Sequence, residues 1–210
     1  MSRRDQAWRQ KLVGTGSMDI AIIGTGFIGG TLGRALAGAG HQVRFGSRHP
    51  DDDDVAGATT AVVTTVAEAL ASAEVVILAL PAAAVGDLVA SSGDALVDKL
   101  VIDATNRMGE AVANSRPALP GGVRYARAFN TLGGENMANP VFADGRADMF
   151  FSSGEADRAA VETVIEGVGL RPVYVGADEE NLVDCLFRLW IALAIRQGRG
   201  RRLALRLLAK

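Results

Sequence analysis

The stretch Met18-Asp19-Ile20-Ala21-Ile22-Ile23-Gly24-Thr25-Gly26-Phe27-Ile28-Gly29 decides the fold. A β-branched run (Ile20, Ile22, Ile23) stops at Gly24, and helical spacing follows at Ile28, Leu32 and Leu36, ending in Gly38–Gly40. Each glycine in the turn has its own task. Gly24 permits the tight bend, Gly26 lets backbone approach a pyrophosphate, and Gly29 lets the helix lie close to the strand. The helix start then offers its unpaired N–H groups, Phe27 and Ile28 among them, to phosphate. A second strand follows at Val43–Phe45, so the glycines sit in the strand–turn–helix–strand setting of a dinucleotide site.

The end of that second strand bears on which dinucleotide. An acidic residue there would accept hydrogen bonds from the adenosine ribose. This chain has Gly46-Ser47-Arg48 instead. A hydroxyl and a guanidinium suit a 2′-phosphate, which points to NADP. The acids Asp51–Asp54 follow Pro50 and read as the first turn of a short helix; the weaker alternative makes Arg48 a solvated turn residue and these acids the partner of the ribose.

The rest of the chain alternates strand and helix. Strands are expected at Thr59–Thr64, Val75–Leu80, Leu100–Asp103, Val123–Phe129, Met149–Ser152 and Arg171–Val175. Helices are expected from the capping box Thr65-Val-Ala-Glu68 to Ala73, from Pro81 to Ser91, and over Glu155–Val168. This order implies an α/β fold, a doubly wound, mainly parallel (Rossmann) sheet. Its ligands belong at the carboxyl ends of the strands, near Leu80-Pro81, Asp103–Asn106 and Phe129-Asn130-Thr131. The expected organisation is a polar, mobile lead-in over 1–17, an NADP-binding domain over 18–176, and C-terminal helices over 177–210. Those helices pack on the domain or at a dimer contact. In them, Leu182, Leu186, Leu189 and Leu193 keep helical spacing while Phe187, Trp190, Ile191 and Ala194 widen the apolar face. Gly198 and Gly200 interrupt the pattern before Leu203 and Leu207 resume it.

Composition sets outer bounds. With 210 residues, 49% of them hydrophobic, the chain can bury one good core, and a net charge of −2 gives no sign of a nucleic-acid partner. Charge is uneven: Arg188, Arg196, Arg199, Arg201, Arg202, Arg206 and Lys210 face no acid in the same stretch. The single Cys185 excludes an internal disulfide, fits a reducing, cytoplasmic setting and reads as core. The longest apolar run, Val75–Val85, is too short for a bilayer, and Met1–Ser17 lacks the apolar centre of a secretory signal. No metal-ligand set stands out.

The motifs Gly24-Thr25-Gly26-Phe27-Ile28-Gly29, Gly46-Ser47-Arg48, Leu80-Pro81 and Gly169-Leu170-Arg171-Pro172, in that order, resemble the NADPH:deazaflavin (coenzyme F-420) oxidoreductase family. Leu182-Val183-Asp184 and the segment from Gly198 to Leu208 resemble that family's terminal helices. Phe129-Asn130-Thr131 also resembles the reductase domain of membrane ferric reductases, a related branch that uses a flavin. The resemblance implies that Thr25, Ser47 and Arg48 hold the 2′-phosphate, that Phe27 and Ile28 meet the pyrophosphate through backbone N–H groups, and that Leu80 and Pro81 flank the nicotinamide half. It also implies a flavin or deazaflavin as second substrate.

Carbonyl reduction commonly relies on a Lys, His or Tyr proton donor. The lysines (Lys11, Lys99, Lys210) lie near the termini or at the wrong end of the sheet. His41 and His49 are read at the adenosine end, and Tyr125 and Tyr174 are read as packed within strands. A ring that accepts hydride and spreads the charge asks less of the protein. Asn106, Asn130, Thr131, Glu135 and Asn136 are the candidates to orient it, each also readable as a turn or cap residue. Three functions stay open: a reductase of a flavin or deazaflavin, a reductase of another small molecule with Asp103 or Glu135 as proton donor, and a non-catalytic NADP-binding sensor. A homodimer through the Leu182–Ala194 helix, with Trp190 in the contact, completes the expectations.

Overall fold

A computed structural model describes residues 16–52, 61–107 and 116–208. Strand β1 (Asp19–Ile23) turns into α1 (Phe27–Gly38) and returns as β2 (Gln42–Ser47). Then come β3 (Val62–Thr65), α2 (Val66–Ser72), β4 (Val75–Leu78), a 3-10 turn at Ala82–Ala84, α3 (Val85–Ser92) and β5 (Leu100–Asp103). Next are β6 (Arg124–Arg127), the short α4 (Gly134–Ala138), and a small hairpin of β7 (Val141–Phe142) and β8 (Gly145–Arg146). The chain continues through β9 (Asp148–Ser153), α5 (Arg158–Gly167), β10 (Arg171–Tyr174) and α6 (Glu180–Ile191).

Eight strands form one sheet in the order β10-β9-β6-β5-β4-β1-β2-β3. All neighbours are parallel except β6 and β9, which run antiparallel. The chain winds outward from β1 in both directions, and the switch between β1 and β4 opens a crevice at the carboxyl ends. Both faces are covered, which is why β4 is buried at all four positions. Along β1, Ile20 and Ile22 enter one core with Leu32, Leu36 and Phe45, while Ala21 and Ile23 enter the other with Leu70, Leu78 and Leu88.

The turn after β1 explains why glycine is required there. Gly24 has φ +113°, and a Cβ on it would lie 2.5 Å from the Ala79 carbonyl oxygen. A Cβ on Gly29 would run into the Gly24 carbonyl oxygen. The capping box also forms: Thr65 N–H donates to Glu68 Oε2 at 3.0 Å, and Glu68 N–H donates to Thr65 Oγ1 at 3.3 Å.

Several boundaries differ from the sequence expectations. The third strand begins at Val62, and the expected positions 59 and 60, like the lead-in over 1–15 and Asp53–Asp54, lie outside the described residues. Of the short helix expected after Pro50, the described residues Pro50–Asp52 form a 3-10 turn. β6 stops at Arg127 rather than Phe129, because Phe129 adopts φ +63° and turns the chain. Cys185 is exposed on α6 and is not a core residue.

The C-terminal region departs most. α6 passes into a π-helical turn at Ala192–Arg196, and Gly198 (φ +65°) and Gly200 (φ +86°) end it. Helical structure does not resume at Leu203 and Leu207. Residues 201–207 form a non-helical strap instead. The Trp190 indole N–H donates to Leu203 O at 2.7 Å, Asn136 Nδ2 to Arg201 O at 2.8 Å, and Leu207 N–H to Asp148 Oδ2 at 2.6 Å. Trp190 is therefore an internal anchor, buried to 3% exposure, and does not offer its ring to a second copy.

The expected consequence for stability is specific to position. Gly29→Ala should cost about 3 kcal/mol, since the added methyl meets backbone that cannot move aside. Gly26→Ala, where a Cβ meets nothing within 4 Å, should leave the thermal midpoint unchanged. Calorimetric unfolding of both variants checks this, and equal midpoints would refute it.

Candidate active site

A cleft of about 810 Å³ opens at the carboxyl ends of β1, β2 and β4. Gly24, Thr25, Ser47, Arg48, Leu80 and Pro81 line it together, although they lie up to 57 positions apart in the chain. The His49 N–H donates to Ser47 Oγ at 2.9 Å, folding Ser47, Arg48 and His49 back toward the cleft. Ser47 Oγ is thereby used as an acceptor, which leaves its hydroxyl proton to donate to an anion. Arg48 is exposed beside it.

The glycine turn fits a pyrophosphate. Gly26 caps α1 with extended backbone (φ −66°, ψ −173°), and the space where its Cβ would stand is open to 4 Å. The Gly30 N–H is the first to close a helical bond, to Gly26 O at 2.8 Å. The N–H groups of Phe27, Ile28 and Gly29, ahead of it, have no partner within the helix.

These features match a known family. The family of coenzyme F420-dependent NADP oxidoreductases matches residues 19–107. That stretch of the chain is similar to the family, and it contains every residue that lines the cleft.

Among solved structures, a candidate F420-dependent NADP reductase from Arthrobacter sp. FB24 is 22% identical. It superposes with a TM-score of 0.75, covering 92% of this chain and 100% of that one. The hypothetical protein SMa0349 of Sinorhizobium meliloti is 26% identical, with a TM-score of 0.68 and coverage of 93% and 97%. A reductive aminase from Aspergillus terreus, solved with NADPH and ethyl levulinate, is 21% identical over 87% of this chain and 64% of its own, with a TM-score of 0.66. The first and third similarities speak to the fold.

Across the switch from that cleft, the ends of β5 and β6 carry a buried polar network that no sequence pattern marks. Arg127 on β6, 1% exposed, donates through Nε to Asp184 Oδ1 at 2.8 Å and through Nη1 to Asp103 O at 3.1 Å. Burial opposes its charge, but Asp103 and Asp184 hold the guanidinium above its ordinary range. Asp103 also accepts from Tyr125 OH at 3.0 Å and from Thr105 N–H at 2.9 Å. Burial, aided by the Asp103 charge, pushes the Tyr125 hydroxyl far up, so it stays protonated. Breaking such a pair leaves a buried charge uncompensated, at a cost of about 3–5 kcal/mol.

The expected orienting residues have distinct settings, with Asn136 tied to the strap as described above. Asn130 is fully buried and donates to Asp184 Oδ1 at 2.8 Å. Thr131 is buried with its hydroxyl 3.6 Å from Met149 Sδ. Asn106 is exposed, its Nδ2 3.5 Å from Asn130 O. Glu135 is clamped by Arg201, which donates through Nε at 2.6 Å and Nη2 at 3.1 Å, and this hydrogen bonding holds its carboxyl below the usual range. The left-handed Phe129 between them costs about 1–3 kcal/mol, and its N–H contact with Met149 Sδ at 3.1 Å helps hold it.

Two histidine placements need separating. His49 lines the cleft, but His41 lies at the opposite, amino end of β2, where its Nδ1 accepts from Met18 N–H at 3.3 Å. His41 is thus not at the adenosine end. Cleft residues that the motif reading missed include Val66, Ala84, Asp87, Leu88 and Ser91. Their signal was the start of α2 directly after β3, and of the 3-10 turn and α3 soon after β4, which brings those segments to the same crevice.

Arg48→Ala should weaken NADPH binding by about 1.5–3 kcal/mol, the range of a charge-assisted contact. NADH binding should barely change. Isothermal calorimetry giving equal losses for both cofactors would refute the assignment.

Proposed function

We propose that this NADP(H)-dependent oxidoreductase transfers a hydride between the nicotinamide and a flavin or deazaflavin ring. The observation that carries the reading is the commitment of its carboxylates. Asp103 already takes Arg127, Tyr125 and Thr105, and Glu135 is chelated by Arg201. Neither is placed as a free acid to protonate a carbonyl product, whereas a ring that delocalises the incoming charge needs none.

Bound NADPH supplies the hydride. The first N–H groups of α1 hold the pyrophosphate, Ser47 and Arg48 hold the 2′-phosphate, and Leu80 and Pro81 flank the path to the nicotinamide. Asn106, Asn130, Thr131 and Glu135 lie on the far side of the switch, where they position or enclose the two rings rather than move protons.

The arginine-rich strap suits an anionic second substrate. A Cβ on Gly134 would press on Phe27 Cε1 at 2.5 Å, so α4 packs directly on the start of α1. Glu135 of that same helix holds Arg201, and its carbonyl accepts from Arg202 Nη1 at 3.1 Å. One short helix therefore connects the basic segment to the pyrophosphate turn. The homodimer reading moves to the outer face of α6, where Leu182 and Leu189 are 50% and 45% exposed.

NADPH oxidation assayed in parallel against a deazaflavin, riboflavin phosphates and ferric chelates tests the main reading. Turnover is expected with a ring acceptor. Turnover with none would leave the sensor, and turnover only with carbonyls or imines would leave the other reductase. With an anionic acceptor, Arg199→Gln/Arg202→Gln should raise the KM several-fold, more at low salt than at high, without altering NADPH binding. A salt-independent, unchanged KM would remove the strap's role. Leu189→Glu should convert a dimer to monomers in light scattering, and a monomeric wild type would remove the dimer.

A further inference from the structure

Asp184 lies on α6, outside the nucleotide-binding half, yet its side chain is aimed at the end of β6. It is 6% exposed, and Oδ1 takes both Arg127 Nε and Asn130 Nδ2 at 2.8 Å. Arg127 carries this tie on to the end of β5 through Asp103. Asn130 carries it in another direction, because its carbonyl oxygen stands 3.5 Å from Asn106 Nδ2. The tie thus runs from a buried carboxylate to the buried Asn130 side chain, and from the Asn130 backbone carbonyl to the exposed Asn106 amide.

Hydrogen-bond polarity orients every member. A carboxylate only accepts, so Asn130 must present its NH₂ to Asp184. A backbone carbonyl only accepts, so Asn106 must present its NH₂ to Asn130 O. The Asn106 Oδ1 is then the atom left to face solvent and ligand, and it is an acceptor. In a doubly wound sheet the nicotinamide half lies across the switch from the adenosine half, over the ends of β4, β5 and β6. The nicotinamide carries a carboxamide, whose NH₂ is a donor.

We propose that Asn106 reads the nicotinamide carboxamide through its Oδ1, and that Asp184, acting through Asn130, is the positioning residue that holds it in that orientation. The proposal rests on the NADP(H) reading above and is independent of which molecule accepts the hydride. It gives the C-terminal helix a part in the site. The left-handed Phe129 fits the same picture, since it turns the chain so that Asn130 reaches Asp184 with its side chain and Asn106 with its carbonyl.

NADP⁺ and its 3-acetylpyridine analogue, in which a methyl replaces the amide NH₂, are the probes. Calorimetry should show wild type binding NADP⁺ about five- to tenfold more tightly than the analogue, the worth of one hydrogen bond. Asn106→Ala should bind both equally while keeping its affinity for 2′,5′-ADP within about twofold, since the adenosine cleft is untouched. Asp184→Asn should lose the same preference, and adding Asn106→Ala to it should cost nothing further. If Asp184→Asn does not fold by circular dichroism, Asn130→Ala takes its place in the cycle.

A preference retained in Asn106→Ala, or absent from wild type, would overturn the carboxamide contact. A preference intact in Asp184→Asn, or additive losses in the double variant, would overturn the positioning role. Equal losses of NADP⁺ and 2′,5′-ADP would mark the network as structural only and overturn both. Failure of wild type to bind NADP⁺ at all would instead strike the NADP(H) reading itself.

Discussion

The closeness of β1 to α1 governs the rest of this molecule. With no side chain at Gly24 or Gly29, the turn can tuck against Ala79 of the β4 end while the helix sits on the turn's own carbonyl. That contact aims the first N–H groups of α1 into the crevice at the switch between β1 and β4. It also sets where the ends of β2 and β4 must stand, and so where Ser47, Arg48, Leu80 and Pro81 converge. A bulkier residue at Gly29 would push the helix away and open the cleft that the neighbouring residues line.

The far half of the crevice is held by a different kind of force. There, buried charges replace close backbone packing: Arg127 sits between two carboxylates contributed by β5 and α6. Such an arrangement adds little net stability compared with an apolar core, but it specifies one arrangement strongly because every misplacement strands a charge. The C-terminal strap works in the same way. Arg171 grips Asp148 with two bonds of 2.6 and 2.7 Å, and Asp148 in turn receives the Leu207 N–H. Arginines that composition alone suggests are a solvated face are in several cases ties between distant segments.

Legibility in the sequence followed the range of the interactions. The glycine turn, the capping box at Thr65 and the apolar β4 are local, and each carries its physical cause within a few residues. The cleft beside Gly24, Ser47 and Arg48 was legible to the extent that it is built from such turns. Arg127 and Asp184 were not, because 57 positions separate them and neither has a neighbour that hints at the pairing. Trp190 looked like surplus apolar surface because its partner, the Leu203 carbonyl, belongs to a strap with no periodicity to read. The end of β6 was misjudged for a similar reason: the left-handed turn at Phe129 is imposed by tertiary ties, against that residue's own preference.

The 2′-phosphate is the point on which cofactor choice, the family similarity and the chemistry of Ser47 and Arg48 all bear. The most direct measurement is calorimetric titration of the wild-type chain with 2′,5′-ADP and with 5′-AMP under identical conditions. Tighter binding of 2′,5′-ADP by about tenfold or more is expected from one charge-assisted arginine contact and one hydroxyl donor. Equal affinity for the two nucleotides would contradict the account.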